Sequence, residues 1–134
     1  MTENSPEKPG KSEIILYQTD DGQSRIQVRL EGSTVWLSQA LMAELFLTTQ
    51  QNITIHVGEI YKDGELSEVA TCKEHLQVRQ EGSRAVRRQI KLYNLDMILA
   101  VGYRVSSPRG VQFRQWATAR LREYLIKGFT LDDE

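Results

Sequence analysis

The sequence has few cysteines and histidines and no long apolar run. Its single cysteine, Cys72, excludes an internal disulfide. With only His56 and His75 beside it, the chain does not supply the four thiolate or imidazole ligands of a structural zinc site. The longest apolar stretch, 95–101, is interrupted by Asp96 and is far shorter than the roughly 20 residues of a membrane span. We therefore expect no metal site, no cofactor and no insertion into a membrane.

The N-terminal residues also lack the apolar run of a secretory signal. We therefore expect the protein in the reducing cytoplasm, which suits a single unpaired cysteine. The 134 residues, 40% of them hydrophobic, are enough for one compact domain. Residues 1–12 offer little apolar surface and are expected to be disordered. The other residues, 13–134, are expected to form this single domain.

The net charge of −1 conceals two regions of opposite sign. Residues 1–70 contain five Lys and Arg against eleven Asp and Glu, whereas residues 71–127 contain twelve against four. Nine of those twelve cations are arginines, whose planar guanidinium suits bidentate contacts to phosphate and guanine. An ordinary solvated surface explains the same charges without a ligand, so charge alone leaves both interpretations open.

Alternating apolar residues predict two β-hairpins. The first spans 14–30 around a turn at Asp20–Gly22, and a short extended segment follows at 35–37. The second spans 74–94 and has its turn at 81–83.

Two short helices are predicted between these hairpins. Ser38 is a good N-cap for a helix that ends at Phe46, and Thr48 with Gln51 has the spacing of a capping box for the next helix. Two helices separated by about three residues are typical of a helix-turn-helix, here at about 38–61.

Two more helices are predicted in the last third of the chain. Asn94 is expected to cap a central apolar helix, and a long C-terminal helix spans 109–127, where Gly128 ends it. Trp36 and Trp116 are expected in the core. The fold class is therefore α+β, a single winged helix-turn-helix-like domain with short β-hairpins and a long C-terminal helix.

The second helix of the pair offers polar side chains near its N-terminus, where a recognition helix presents side chains to the major groove. Gln and Asn pair bidentately with adenine, and Thr contacts the thymine methyl group. The candidate base contacts are Gln50, Gln51, Asn52 and Thr54. Leu47 departs from the pattern, because the turn usually has a left-handed glycine there. A polar helix face without a partner explains the same residues equally well.

A basic hairpin after such a helix pair would act as a wing, whose cations bond phosphates and fix the register on the duplex. The helix pair itself carries almost no cations, so the arginine-rich region would supply most of the affinity. The candidate phosphate contacts are Arg84, Arg87, Arg88, Lys91, Arg109 and Arg114.

No enzyme motif stands out, neither a Gly-rich phosphate loop nor GxSxG nor HExxH. Cys72 and His75 have a C-x-x-H spacing, but two ligands do not make a tetrahedral metal site. A cysteine nucleophile would also need a group that orients the histidine, and the sequence does not indicate one. We expect no catalysis.

Several runs of the sequence resemble the virulence-associated RhuM family of bacteria. They are Glu13–Gly22, Val35–Gln39, Met42–Phe46, Gln51–Ile53, His56, Gly64–Leu66, Tyr93–Asp96, Val101–Val105, Arg109–Gly110, Gln112–Ala117 and Leu125–Phe129. The resemblance covers nearly all of 13–134 and implies a DNA-binding domain without catalytic residues. The segment Gln112–Trp116 is also similar, more distantly, to the end of the N-terminal domain of phage antirepressor-type proteins. Some members of the family are longer, which is compatible with an excised N-terminal domain.

The sequence thus predicts a domain that binds double-stranded DNA, as a transcriptional regulator or a phage- or virulence-related factor. A homodimer is compatible with this function, since many helix-turn-helix proteins bind paired half-sites. The alternative is a protein–protein interaction module of a longer virulence or phage-derived protein, without catalysis. Such binding would depend on apolar side chains such as Ile55 and would persist in moderate salt.

Overall fold

Five strands and five helices make up residues 12–132, the part of the chain that this computed structural model describes. The strands are β1 (Ser12–Gln18), β2 (Arg25–Glu31), β3 (Thr34–Leu37), β4 (Cys72–Glu81) and β5 (Arg84–Asn94). The helices are α1 (Gln39–Phe46), α2 (Gln50–Lys62), α3 (Glu68–Thr71), α4 (Leu95–Arg104) and α5 (Arg109–Asp132). The predicted disordered segment, 1–12, lies outside the described residues apart from Ser12, which begins β1.

The strands form one antiparallel sheet in the order β1-β2-β3-β5-β4. Both predicted hairpins are confirmed, β1 with β2 and β4 with β5. The two-residue turn of the second hairpin has Gly82 at φ +64°, a conformation that glycine adopts without steric cost. β3 pairs with β5 only near the base of that hairpin, through Trp36 with Asn94 and Leu37 with Tyr93. Most of the hairpin therefore extends beyond the rest of the sheet.

The core lies between one face of the sheet and the helices α1, α4 and α5. Alternation along β2 and β3 directs apolar side chains to this face. The fully buried strand residues are Ile26, Val28, Leu30, Val35 and Leu37. Leu45, Met97 and Phe113 cover them from the three helices. α2 packs on α1 and α4, so its outer side is left without a covering element among the described residues.

One of the two tryptophans predicted for the core lies elsewhere. Trp36 alternates with two buried neighbours on β3 and therefore faces the opposite side of the sheet. There, Nζ of Lys73 lies 4.4 Å from the centre of its ring. Trp116 is partly buried against the core, with its ring centroid 4.8 Å from that of Tyr17. Only the prediction for Trp116 is confirmed.

The helices differ from prediction at two boundaries and in one element. The cap of α2 is Thr49, whose hydroxyl accepts from the Asn52 N–H at 3.0 Å, and not Thr48. α5 continues through Gly128, because one glycine costs a helix interior only about 1 kcal/mol. α3 has four residues, too few for a periodic signal. No helix within the described range is long and apolar enough to cross a membrane.

Candidate nucleic-acid interface

α1 and α2 form a helix pair in the region predicted from the sequence. Ser38 caps α1 by accepting a hydrogen bond from the Leu41 N–H at 3.2 Å, as predicted. Leu47 ends α1 in the left-handed conformation, with φ 55° and ψ 51°. The turn thus has the backbone geometry that glycine usually provides, although the residue is leucine.

Gln39 connects this helix pair to the second hairpin. Its Nε2 donates to the Tyr93 hydroxyl at 3.0 Å, and its Oε1 lies 2.5 Å from the Thr54 hydroxyl, which donates to it. Tyr93 is buried, and burial raises the pKa of its hydroxyl, which therefore stays protonated at neutral pH. The three residues belong to α1, β5 and α2, so the N-terminal parts of both helices are held near the base of the hairpin.

A groove runs between the helix pair and the second hairpin, and we call it the helix–hairpin groove. Gln50, at the start of α2, lines it from the helix side. The cations that line it are Arg25, Arg79, Arg88 and Lys91, and the carboxylates are Glu44 and Glu81. Cations outnumber carboxylates on its walls, so the groove favours an anionic ligand.

The four side chains predicted to contact bases differ in exposure and in their hydrogen bonds within the protein. Gln50 and Gln51 are exposed on the first turn of α2. Asn52 is partly buried, and its Nδ2 donates to the Thr48 hydroxyl at 2.9 Å. Thr54 is exposed, but its hydroxyl is engaged by Gln39 and lies 3.1 Å from the Gln50 carbonyl oxygen. The two glutamines are therefore the side chains most available to an external partner.

The predicted phosphate contacts on the hairpin are divided between its two faces. Side chains alternate along a strand, so Arg84 and Arg88 lie on one face of β5, and Arg87 and Lys91 lie on the other. The register places Arg79 of β4 on the same face as Arg84 and Arg88. The larger group of arginines thus lies on the face of the sheet opposite the core.

These cations also differ in their ion pairs. The exposed candidates without an ion pair to any described residue are Arg84, Arg87 and Arg114. Nη2 of Arg88 lies 3.1 Å from a carboxylate oxygen of Glu81, and Nζ of Lys91 lies 3.4 Å from one of Glu68. Exposed pairs of this kind contribute only about 0–1 kcal/mol, so a phosphate can replace either carboxylate at little cost.

Arg109 does not fit its predicted role as a phosphate contact and is removed from that set. It is only 7% exposed. One guanidinium nitrogen donates to the Leu45 carbonyl oxygen at 2.9 Å and to the Ser24 hydroxyl at 3.2 Å, and the other lies 2.6 Å from Asp21. The hydrogen bond from Arg109 is the main reason that the pKa of Asp21 lies well below its usual value. This arginine joins α5 to α1 and to the β1–β2 turn.

The C-x-x-H pair of the sequence is not brought together. Cys72 and His75 are three residues apart on β4, so their side chains point to opposite faces of the strand. Burial raises the pKa of the Cys72 thiol, which disfavours the reactive thiolate. Among the described residues, no three His, Cys, Asp or Glu side chains cluster as metal ligands would.

Several residues that line the groove were not predicted as site residues from the sequence, among them Arg79, Gln39 and Tyr93. Arg79 could have been assigned from strand alternation, because the hairpin register follows from its two-residue turn. Gln39 and Tyr93 could not, since they lie 54 residues apart and meet only through the packing of α1 beside β5.

Comparison with known protein families gives a match to part of the chain. Residues 70–134 match the family model of the virulence protein RhuM family, which confirms the resemblance over this part of the chain. The matched range contains the whole second hairpin, α4 and α5, and begins after the helix pair. Searches of curated proteins and of solved structures found no significant match.

Proposed function

We propose that this chain, whose residues 70–134 match the RhuM family, binds double-stranded DNA through the helix–hairpin groove and the exposed start of α2. One observation carries the proposal. Gln50 of α2 and the cations Arg79, Arg88 and Lys91 of the hairpin line the same groove. Side chains able to contact base edges thus lie beside side chains able to contact phosphates.

The charge of the hairpin supports this function. Residues 72–94 carry six Lys and Arg against two Glu. Each cation that contacts a phosphate releases condensed counterions, and this release supplies most of the sequence-independent affinity for DNA. In the proposed complex, the arginines of the hairpin hold the phosphate backbone and set the register of α2.

The start of α2 supports the assignment of base contacts. Its first turn contains no acidic residue that would repel the duplex. Gln50 and Gln51 are exposed, and a glutamine amide matches the donor and acceptor of adenine in the major groove. Asn52 and Thr54 are engaged within the protein and would have to exchange those hydrogen bonds for contacts to bases.

Two kinds of variant are expected to affect DNA binding differently. Fluorescence anisotropy with several duplex sequences measures the affinity of each variant. Replacing the groove cations Arg79, Arg88 and Lys91 with alanine is expected to weaken binding to every duplex and to reduce the salt slope by about three. Replacing Gln50 and Gln51 with alanine is expected to leave the salt slope unchanged and to relax the preference among sequences.

A control variant with the same loss of charge uses Lys62, Arg122 and Lys127, which do not line the groove. It is expected to retain most of the affinity, because only net charge changes. Equal losses of affinity in this control and in the hairpin variant would contradict the assignment of the hairpin cations as phosphate contacts. Equal losses on all sequences from the glutamine variant would remove the base-contact assignment.

The rival function, binding to another protein, has one observation of its own. Ile55 is 51% exposed on α2, and Leu47 at the preceding turn is 57% exposed. Exposed apolar side chains on the helix pair are suited to an apolar contact with a partner chain. An uncharged Ile55→Ser substitution would strongly weaken such binding, whereas it would only modestly affect DNA binding that depends on counterion release.

A further inference from the structure

β4 is an edge strand over the described chain. It pairs with β5 along ten residues, and no other described strand pairs with its outer edge. The hairpin extends beyond β3, and none of the helices α1, α2, α4 and α5 packs against β4 to cover this edge. A long unpaired edge is a template for another strand, and it requires either protection or a partner.

The turn of the hairpin determines which backbone groups point outward. Glu81 and Arg84 flank the two-residue turn, which makes them a hydrogen-bonded pair. Odd-numbered residues of β4 therefore direct their N–H and C=O groups toward β5. The even-numbered residues direct theirs to the free edge, so a partner strand must bond to residues 74, 76, 78 and 80.

We infer that β4 pairs antiparallel with β4 of a second copy, in the register that places Gln77 opposite itself. Leu76 then lies opposite Val78 of the second copy, and these side chains are 41% and 60% exposed in the single chain. Lys73 lies opposite Glu81 of the second copy. The two-fold axis repeats each contact, which gives two apolar pairs on one face and two opposite-charge pairs on the other.

Neighbouring registers lack this complementarity. Because the outward groups belong to even-numbered residues, the strand can slide only in steps that keep even residues opposite even residues. One step in one direction places Lys73 opposite Arg79, which is a like-charge pair. One step in the other direction separates Leu76 from Val78 and leaves Lys73 beyond the end of the partner strand. The charges of β4 therefore select one register.

On the same face as the Lys73–Glu81 pair, the inferred register places His75 opposite Arg79 of the second copy. Burial and the nearby cations Arg29 and Lys73 lower the pKa of His75, so the imidazole is neutral at pH 7. The pair then carries a single charge and adds no repulsion.

The first test is the mass of the protein without DNA, so it is independent of the proposed function. Sedimentation equilibrium is expected to give twice the chain mass of 15.4 kDa at high concentration, with reversible dissociation on dilution. A mass of 15.4 kDa at every concentration up to about 0.5 mM, where even a weak interface would be populated, overturns the inference.

Charge reversal tests the register. Lys73→Glu or Glu81→Lys alone turns both ion pairs into repulsions and is expected to weaken the dimer by about tenfold. The double variant restores the pairs between copies and is expected to recover the affinity. Lys73 also lies 2.9 Å from Glu31, and Glu81 pairs with Arg88, within one chain. The double variant does not restore those contacts, so any affinity that it regains comes from the pairs between copies. A loss in the double variant equal to the sum of the two single losses overturns the inference.

Cross-linking provides a second readout that does not depend on charge. In a Cys72→Ser background, Gln77→Cys places two cysteines opposite each other with Cα atoms about 4.5 Å apart, within the range of a disulfide. The matched control is Arg79→Cys on the same strand and face, where the two cysteines would be about 13 Å apart. A disulfide at position 77 alone is expected. Cross-linking at 79 but not at 77, or at neither position in a dimeric sample, overturns the register.

Discussion

The guanidinium of Arg29 on β2 lies 3.2 Å from Nε2 of His75 on β4, although β3 and β5 stand between these strands in the sheet. Lys73 of β4 and Glu31 of β2 meet in the same way, at 2.9 Å. Strands that are three positions apart come this close only when the sheet curves. The face opposite the core is therefore concave, and Arg29 donates to a neutral His75 across it.

This contact makes the stability of the fold depend on pH. The pKa of His75 is lowered below its ordinary 6.5, first by burial and then by Arg29 and Lys73. The unfolded chain therefore binds a proton more readily than the folded chain. The free energy of unfolding is expected to fall as the pH drops through about 6.5 toward the lower folded pKa, and to be unaffected by His75 above this range.

His75→Gln provides the comparison, because glutamine can accept from Arg29 but does not titrate. Urea unfolding at about pH 7.5 and pH 5.5 should show a larger loss of stability in the parent chain than in the variant. Equal losses in both would show that His75 does not contribute to the pH dependence.

In the turn between α1 and α2, the backbone of Leu47 is strained, and a glycine at this position would relieve the strain. Leu47 has φ 55° and is 57% exposed, so it bears the cost of the left-handed conformation while burying little surface. That cost is about 1–2 kcal/mol for a residue with a Cβ, and glycine avoids it but loses more backbone entropy on folding. Leu47→Gly is expected to raise the free energy of unfolding by about 0.5–1 kcal/mol.

Leu47→Ala is the control for that substitution, since alanine keeps the conformational cost and removes the same side chain. It is expected to be neutral or slightly destabilising by urea unfolding. If Leu47→Gly loses more stability than Leu47→Ala, the backbone of Leu47 is not strained.

Arg109 is expected to be structural. Arg109→Ala leaves the Leu45 carbonyl and the Ser24 hydroxyl without this donor in a buried site, and it removes the partner of Asp21. The expected loss is about 2–4 kcal/mol by denaturant unfolding. Arg114→Ala, an exposed arginine of the same helix, should change stability by no more than about 0.5 kcal/mol. Similar small effects from both variants would contradict the burial of Arg109.

Close packing of α4 on α5 and α1 requires glycine at one position. A Cβ on Gly102 would lie 2.9 Å from Cζ of Phe46, whereas a Cβ on Gly110 would be 3.9 Å from the same ring. Gly102→Ala is therefore expected to destabilise the protein by about 1–3 kcal/mol, despite the better helix propensity of alanine. Gly110→Ala should be tolerated, and a reversed order of the two variants in thermal unfolding would contradict this packing.

Local patterns predicted most of the fold. Ser38, Asn94 and the alternation in β2 act over a few residues, so the starts of α1 and α4 and the hairpins follow from the sequence. Trp36 also carried a local signal that was missed, because its buried neighbours on β3 place it on the opposite face. The division of the hairpin arginines between two faces follows from the same period of two.

Other features depend on distant parts of the chain. Arg109 carries no local sign of burial, and its acceptors lie 64 and 85 residues away. The helix–hairpin groove depends likewise on the hydrogen bond between Gln39 and Tyr93 and on the curvature of the sheet. Single-sequence patterns do not determine such contacts, since they arise when separate elements pack.

We expect the basic hairpin and the start of α2 to bind duplex DNA, and the salt dependence of binding distinguishes this function from binding to a protein. Fluorescence anisotropy with a random-sequence duplex should show binding at about 50 mM salt and roughly a hundredfold weaker binding at about 200 mM, as expected for four or five phosphate contacts. Absence of binding at about 50 mM, or an affinity that does not change with salt, would contradict the claim and favour a protein partner.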